Sequence, residues 1–199
     1  KRVKHHEALP WQEVGDFVRD LRKRKGTAAK ALEFLILTAT RSGEVRGAEW
    51  SEIDLAAKTW TIPAERMKAG REHTIPLCED AVTLLNALPR AEDSNLVFPG
   101  VRGGLLSDVG LTKPIRSMGP TVTVPGFRST FRDWCAEATN YPNEVAEMAL
   151  AHSIGSAVEK AYRRGDLLAK RTRLMDDWCR FVNTPTPKGN VTTIQGATA

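Results

Sequence analysis

Tyr162 lies in a stretch of the sequence whose residue types could attack a phosphate. It is one of only two tyrosines in the chain, it directly precedes Arg163 and Arg164, and His152 comes shortly before it. A free phenol has a pKa of about 10, so it is almost wholly protonated at neutral pH. Nearby cations lower that pKa and make the oxygen a usable nucleophile. The alternative is a packed aromatic residue on a basic helix, with its hydroxyl group at the surface.

Two arginines occupy positions where a guanidinium group could hold a phosphate. Arg41 comes after a long apolar run, at the predicted junction between two helices, and Ser42 is the predicted N-cap of the second helix. Arg128 lies near the start of another predicted helix, where unpaired backbone N–H groups also attract anions. Guanidinium forks match paired phosphate oxygens better than ammonium groups do. For Arg41, a surface ion pair with Glu44 is the alternative.

The elements that must position these residues are predicted to be mainly helical. A helix with regularly spaced apolar residues follows Pro10, and Thr27 is the predicted cap of a second helix that is apolar on all sides. Two strand-like runs predict a hairpin whose turn holds Lys68, although a lysine in a turn is commonly only solvated. The strands are predicted at residues 59–62 and 73–77, and further helices at residues 79–88, after Ser107, around Arg128, after Pro142 and at residues 166–182. The predicted fold class is α+β, mainly α with a small antiparallel β-sheet.

Composition narrows the partners and excludes several classes of protein. The 199 residues carry a net charge of +5, which favours a polyanionic partner. No apolar run of about 18 residues exists, so no membrane-spanning segment is predicted. The sequence has no glycine-rich phosphate loop and no acidic cluster able to hold magnesium, so neither a metal nor a cofactor is expected. The three cysteines are predicted to be buried thiols in a reducing cytosol.

Three segments are predicted along the chain. Residues 1–9 are predicted to be a linker from a preceding domain, and residues 10–183 are predicted to form one folded domain. Residues 184–199 show no periodicity and begin Thr184-Pro185-Thr186-Pro187, which predicts a flexible C-terminal tail.

Five motifs follow one another in an order that resembles a known family. They are Thr38-Ala39-Thr40-Arg41-Ser42-Gly43-Glu44, Lys68 ahead of Ile75-Pro76-Leu77, Gly126-Phe127-Arg128-Ser129-Thr130-Phe131, Leu150-Ala151-His152, and Ala161-Tyr162-Arg163-Arg164-Gly165-Asp166. Together they resemble the catalytic domain of the tyrosine recombinases, in particular the prophage-type integrases. The resemblance extends from about residue 7 to residue 182, and it implies the tyrosine recombinase catalytic-domain fold.

The resemblance also implies a role for each residue. Tyr162 would attack a DNA phosphate and form a 3′-phosphotyrosyl link, while Lys68 would protonate the leaving 5′ oxygen. Arg41 and Arg128 would hold the non-bridging oxygens of that phosphate, and His152 would donate a hydrogen bond to it. A covalent intermediate conserves the energy of the phosphodiester bond, so rejoining the strands needs no ATP.

The implied function is site-specific recombination of double-stranded DNA. Such an enzyme would integrate or excise a prophage or genomic island at attachment sites, as a homotetramer on DNA, with accessory DNA-bending proteins. It would work in the bacterial cytoplasm, at the nucleoid. Glu44 would help to position the residues that bind the phosphate, without contacting the phosphate itself. Further DNA contacts are expected from Arg71, Arg116, Arg163 and Arg164.

One position departs from the family pattern. Three residues before Arg128 the family normally has a histidine, and this sequence has Pro125, whose side chain has no donor or acceptor. One possibility is that Lys68, His152 or water performs the function of the missing histidine, with reduced activity. The other is that the chain is a catalytically impaired integrase remnant that still binds DNA. A type IB topoisomerase-like enzyme, which shares the nucleophile and the arginines, is a further alternative.

Overall fold

Helices make up most of the chain that the structure describes. The computed structural model describes residues 7–90, 94–152 and 167–184. The α-helices of these residues are α1 (Val14–Arg22), α2 (Thr27–Thr38), α3 (Ser42–Arg46), α4 (Glu79–Asn86), α5 (Asp108–Met118), α6 (Gly126–Ala138), α7 (Asn143–Ala149) and α8 (Leu168–Asn183). A small antiparallel sheet of three strands accompanies them, which confirms the predicted α+β class.

Helix α2 lies at the centre of the core, as its apolar sequence predicts. Every residue from Ala31 to Thr38 is buried, and the helix packs against α1, α4, α5 and α8. A helix that is apolar on all sides needs neighbours that cover every face. The prediction that Thr27 caps this helix is wrong, because Thr27 is its first residue. Gly26 is the N-cap instead, at a φ of 101° that favours glycine.

The sheet closes one side of the core and carries a turn that bears on the site. Its strands, in order, are β1 (Ile53–Asp54), β2 (Thr59–Ile62) and β3 (His73–Pro76). The predicted hairpin is confirmed as β2–β3, with the buried residues Trp60 and Ile75 opposite each other. The sequence does not predict β1, because two residues cannot show alternation. The β2–β3 connection starts with a 3₁₀ turn, Ala64–Arg66, and includes Lys68.

Helix α8 attaches the end of the described chain to the core. Trp178 Nε1 donates a hydrogen bond of 2.8 Å to the carbonyl oxygen of Ile36 in α2. The Trp178 ring also packs against Phe131 and Trp134 of α6, at centroid distances of 5.3 and 5.0 Å. Such aromatic pairs contribute about 0.5–1.5 kcal/mol each beyond their buried area, so α8 helps to fix α6. The predicted first residue of this helix, Asp166, lies outside the described residues.

The chain ahead of α1 packs against the start of α6. The backbone N–H of Thr123 donates to the Glu7 carbonyl oxygen at 3.0 Å, and the Thr130 hydroxyl donates to the Leu9 carbonyl oxygen at 2.6 Å. A Cβ atom at Gly126 would lie 2.1 Å from the Glu7 carbonyl oxygen. Only glycine fits this close approach of two backbone segments.

Three further expectations concern the cysteines, the membrane and the chain ends. Cys78, Cys135 and Cys179 are buried free thiols, as predicted. Among the described residues, no helix has the length and apolar character that crossing a membrane requires. Residues 1–6 and 185–199, on which most of the predicted linker and tail fall, lie outside the described residues.

Candidate active site

Arg41 immediately precedes α3 and is held by Glu44 of that helix. The backbone N–H of Arg41 donates to Glu44 Oε2, and Arg41 Nη1 donates to Glu44 Oε1, both at 2.8 Å. The prediction that Ser42 is the N-cap is wrong, because Arg41 takes that position and the Glu44 carboxylate caps its backbone N–H. The ion pair of Arg41 with Glu44 is present, but the Glu44 side chain is only 5% exposed, so this is not a surface pair.

Glu44 is fixed in turn by the connection between β2 and β3. Arg66 donates from Nη2 to the backbone carbonyl oxygen of Glu44 at 2.6 Å, and its Nη1 donates to the Glu52 carboxylate. With its backbone held by Arg66 and both carboxylate oxygens occupied by Arg41, Glu44 keeps one orientation. It therefore sets the direction in which the Arg41 guanidinium group points.

Arg128, the third residue of α6, reaches the ends of two other helices. Its Nη1 donates to the carbonyl oxygen of Ala39, just after α2, at 2.7 Å. Its Nη2 donates to the carbonyl oxygen of Leu150, just after α7, at 2.6 Å. The last carbonyl groups of a helix lack partners within it, so they are available to hold a guanidinium group. The fold thus uses three helices to place this one side chain.

The two arginines bring positive charge to the same place. Burial, and next the charge of Arg41, lowers the pKa of Arg128 to about 10, so Arg128 remains a cation at neutral pH. The described partners of Arg128 are neutral carbonyl oxygens and an imidazole, and no described carboxylate forms an ion pair with it. A bound anion would relieve the repulsion and use the fork of N–H donors that each guanidinium group presents.

His152 stands beside Arg128 and is supported by Glu147. Its Nε2 lies 3.1 Å from Arg128 Nη2, and its Nδ1 lies 2.7 Å from Glu147 Oε2. The other carboxylate oxygen of Glu147 accepts from Arg132 Nε at 2.6 Å. Hydrogen bonds from Arg132 and His152 outweigh partial burial and lower the pKa of Glu147, although burial alone, the largest single influence, would raise it. Neither Glu147 nor Arg132 stands out in the sequence by motif or spacing.

Arg41, Arg128 and His152 line one cavity of 460 Å³. The other residues that line it are Ser42, Pro125, Ser129, Arg132, Asp133 and Leu150. Three guanidinium groups and one carboxylate line the cavity, so N–H donors predominate there, which fits an anionic group such as a phosphodiester. Pro125 contributes a wall without a hydrogen-bonding side chain, as its residue type dictates.

The structure does not bring every predicted site residue to this cavity. Lys68 and Arg71 are exposed in the β2–β3 connection, and Arg116 is exposed on α5. None of these three residues lines the cavity. An exposed turn leaves a long side chain several directions, so the sequence position of Lys68 does not by itself fix where its ammonium group lies.

Tyr162, Arg163 and Arg164 lie outside the described residues. The other tyrosine of the chain is Tyr141, and its hydroxyl donates a hydrogen bond of 2.7 Å to Asp177 Oδ2. Burial, and next that hydrogen bond to Asp177, raises the pKa of Tyr141 to about 12. A phenol that ionises so reluctantly is a poor nucleophile.

His73, the first residue of β3, is a second feature that sequence reasoning missed. Burial, and next the charge of Arg171, lowers its pKa to about 4, so the ring is neutral at pH 7. Its Nε2 atom is buried and has no hydrogen-bond partner among the described residues. A histidine in a short strand is a weak signal, because its burial depends on helices distant in the sequence.

Within residues 7–90, 94–152 and 167–184, no group of three or more histidine, cysteine or acidic residues is arranged to hold a metal ion.

Comparison with protein families matches residues 9–167 to the phage integrase family. The chain is 32% identical over 189 residues to the prophage integrase IntZ of Escherichia coli (strain K12), covering 92% of this chain and 47% of that protein. It is 30% identical over 204 residues to the integrase of Enterobacteria phage P4, covering 92% and 46%. The chain therefore spans about half the length of these curated relatives.

Solved structures share the fold at lower identity. The integrase from mycobacterium phage Brujita matches with a TM-score of 0.66 at 19% identity, over 92% of this chain and 63% of that one. A lambda integrase tetramer bound to a Holliday junction matches with a TM-score of 0.57 at 17% identity, over 78% and 50%. Likeness at this level concerns the fold alone, and it confirms the catalytic-domain fold that the resemblance implies.

Proposed function

This chain belongs to the phage integrase family, and from that premise we propose that it is the catalytic part of a site-specific recombinase that cleaves and rejoins DNA. The observation that carries the proposal is the shared cavity of Arg41, Arg128 and His152. Two guanidinium groups that repel each other at the wall of one cavity are what an anion-binding site requires. Tyr162 is the proposed nucleophile.

The arginines act on the charge that develops during the reaction. When the Tyr162 oxygen attacks the phosphorus of a phosphodiester, the phosphorane-like transition state carries more negative charge than the ground state. Arg41 and Arg128 are held in advance, by Glu44 and by two backbone carbonyl oxygens, so little reorganisation is needed. Removal of one such donor typically costs about 10²–10³-fold in rate. The guanidinium groups of Arg41, Arg128 and Arg132 supply the positive charge that metal ions supply in many nucleases.

Lys68 is the proposed acid for the leaving group. The bond between phosphorus and the 5′ oxygen breaks as the tyrosine link forms, and the leaving oxygen takes a proton from the Lys68 ammonium group. Lys68 lies in an exposed turn, where a bound duplex could order it. In the reverse step the 5′ hydroxyl returns the proton and attacks the phosphotyrosine, so the strand is rejoined without ATP.

The proposed substrate is double-stranded DNA at attachment sites, for integration or excision of a prophage or genomic island. Its support is the relatives, which are named as prophage and phage integrases, and a structural neighbour described as a tetramer on a Holliday junction. The same proposal includes a homotetramer on DNA and accessory DNA-bending proteins. It also places the reaction at the nucleoid, in the bacterial cytoplasm. Further phosphate contacts are proposed for Arg71, Arg116, Arg163 and Arg164.

The segments outside the cavity complete the proposal. Residues 1–9 are proposed to link the catalytic domain, residues 10–183, to a DNA-binding region. The family relationship and the grouped arginines favour an active recombinase over an impaired remnant or a type IB topoisomerase-like enzyme.

This function is tested with a nicked suicide substrate, a DNA duplex that carries the junction between the prophage or genomic island and its host DNA. The protein is incubated with the nicked duplex, and a covalent protein–DNA adduct is sought by denaturing electrophoresis. We expect an adduct with the wild-type protein and none with Tyr162→Phe, while both proteins bind the duplex equally. DNA binding without an adduct from the wild-type protein would instead support the impaired remnant.

A further inference from the structure

Glu147 holds the imidazole of His152 in one tautomer. A carboxylate only accepts hydrogen bonds, so the 2.7 Å contact between Glu147 Oε2 and His152 Nδ1 requires a hydrogen on Nδ1. The guanidinium group of Arg128 only donates, so its Nη2, 3.1 Å from His152 Nε2, requires a lone pair on Nε2. Both contacts agree on a neutral ring whose lone pair lies on the cavity side.

Glu147 is itself anchored, so this arrangement does not depend on one flexible side chain. Its second oxygen accepts from Arg132 Nε, and Arg132 also donates to the Asn143 side chain at the start of the same helix. The backbone N–H of His152 donates to the Glu147 carbonyl oxygen at 2.9 Å, which fixes the His152 backbone as well. A pair whose orientation is supported from behind in this way is typical of a general base and its positioning carboxylate.

The cavity offers few other groups that could take a proton. Pro125 has no acceptor in its side chain, and the arginines are permanently charged donors. The hydroxyl groups of Ser42 and Ser129 are very weak bases. Asp133 is an exposed carboxylate, and a carboxylate is a weaker base than an imidazole near neutral pH. His152 is therefore the proton acceptor that the lining of the cavity provides.

We propose that Glu147 and His152 form a carboxylate–imidazole pair that accepts the proton of the nucleophilic phenol, with Glu147 as the positioning residue. This rests on the function proposed above. The phenolic O–H bond breaks as a hydrogen forms its bond to His152 Nε2, the phenol oxygen bonds to phosphorus, and the bond to the 5′ oxygen breaks. The leaving oxygen takes its own proton from Lys68. The new imidazolium then donates from Nε2 to a phosphate oxygen.

The charges around the ring explain why this transfer would await the substrate. The charged side chains near it are Glu147, Arg128, Arg132, Arg41 and Asp133. A bound phosphodiester places negative charge beside the ring, and the Glu147 carboxylate can then stabilise the imidazolium through Nδ1.

Single-turnover attachment of the full protein to nicked DNA tests the pair. We expect Glu147→Gln to slow attachment by about 10²-fold, the range of general acid–base effects, while duplex binding changes less than about threefold. The matched control is Glu137→Gln, an α6 carboxylate that accepts from Trp11 Nε1, and it should keep the wild-type rate.

A double variant separates a positioning role from a structural one. If Glu147 acts through His152, Glu147→Gln should slow the His152→Gln protein no further, since interacting residues are not additive. Two results would overturn the inference while leaving the recombinase function in place. One is a double variant slowed by the product of the two single-variant effects, and the other is a Glu147→Gln rate within about threefold of wild type. A wild-type protein that forms no adduct would overturn the proposed function and this inference together.

Discussion

Arg41, the residue just before α3, and Arg128, in α6, line the same cavity, where burial and the charge of Arg41 disfavour the charged form of Arg128. Arg41 is aligned by the buried Glu44 carboxylate, and Arg128 by the carbonyl oxygens of Ala39 and Leu150. The fold therefore holds two cations close together, and the partners of Arg128 are neutral carbonyl groups rather than carboxylates. A shared anion can bind between the two guanidinium groups.

Arg128→Lys tests whether the guanidinium fork matters beyond its charge. An ammonium group cannot reach two carbonyl oxygens at separate helix ends and present further donors to a phosphate. We expect single-turnover cleavage to fall by about 10²–10³-fold, with a smaller effect on duplex binding. Arg180→Lys, at an exposed ion pair on α8, is the control and should cleave at the wild-type rate. A wild-type rate for Arg128→Lys would show that charge alone suffices.

Inorganic phosphate should stabilise the folded protein by binding in the cavity. At ten times its Kd, a ligand that binds only the folded state contributes about 1.4 kcal/mol, which raises Tm by roughly 3–6 °C for a chain of this size. The measurement is thermal unfolding in phosphate and in chloride at equal ionic strength. Phosphate also acts generally, by exclusion from protein surfaces, so Arg128→Gln serves as the control. An equal rise in Tm for that variant would place the effect outside the cavity.

His73 should make stability depend on pH between about 6.5 and 4. Its pKa is lowered from 6.5 to about 4, first by burial and then by the charge of Arg171. The unfolded chain therefore binds a proton at a higher pH than the folded one does. The stabilisation is complete above pH 6.5 and is lost as pH falls towards 4, by at most about 3 kcal/mol.

The measurement for His73 is urea unfolding of the wild type and His73→Gln at several pH values. The glutamine is neutral throughout, so the free-energy difference between the two proteins should shrink as the pH falls from 7 to 4.5. Other titrating groups are common to both proteins and cancel in that difference. A difference that stays constant with pH would mean that His73 is not held neutral by the fold.

Gly126→Ala should detach the segment before α1 from the start of α6. The added Cβ atom would lie 2.1 Å from the Glu7 carbonyl oxygen, so one backbone segment must move. We expect a loss of about 1–3 kcal/mol in the free energy of unfolding, as for other overpacked sites. Gly104→Ala is the control, because nothing lies within 4 Å of its added Cβ atom. Equal urea midpoints for the two variants would contradict the tight contact seen here.

The sequence predicted the fold class and the hairpin because their signals are local. The all-round apolar character of α2 and the apolar runs of β2 and β3 need no knowledge of distant residues. The cap of α3 was misassigned by one position, since the Glu44 carboxylate, and not a serine hydroxyl, satisfies the helix start. Such a choice between two capping groups depends on how the next turn packs.

The site was predictable in its residue types and not in its supports. Arg41, Arg128 and His152 stand out by motif and resemblance, and the structure gathers them at one cavity. The Glu147 carboxylate orients His152, and the Arg66 guanidinium group holds the backbone of Glu44, which in turn orients Arg41. The hydrophobic periodicity of the sequence does not predict these contacts. Long-range contacts of this kind follow from the packing of the helices.

The measurement that tests the central claim most directly is the identity of the residue bonded to DNA. The adduct from a nicked substrate is digested with protease and nuclease, and the linked peptide is identified by mass spectrometry. The two tyrosines make this decisive, since Tyr141 is hydrogen-bonded to Asp177 with its pKa raised to about 12. We predict a 3′-phosphate on Tyr162, and an unchanged yield in Tyr141→Phe. A DNA link on Tyr141, or on any side chain other than Tyr162, would contradict the account.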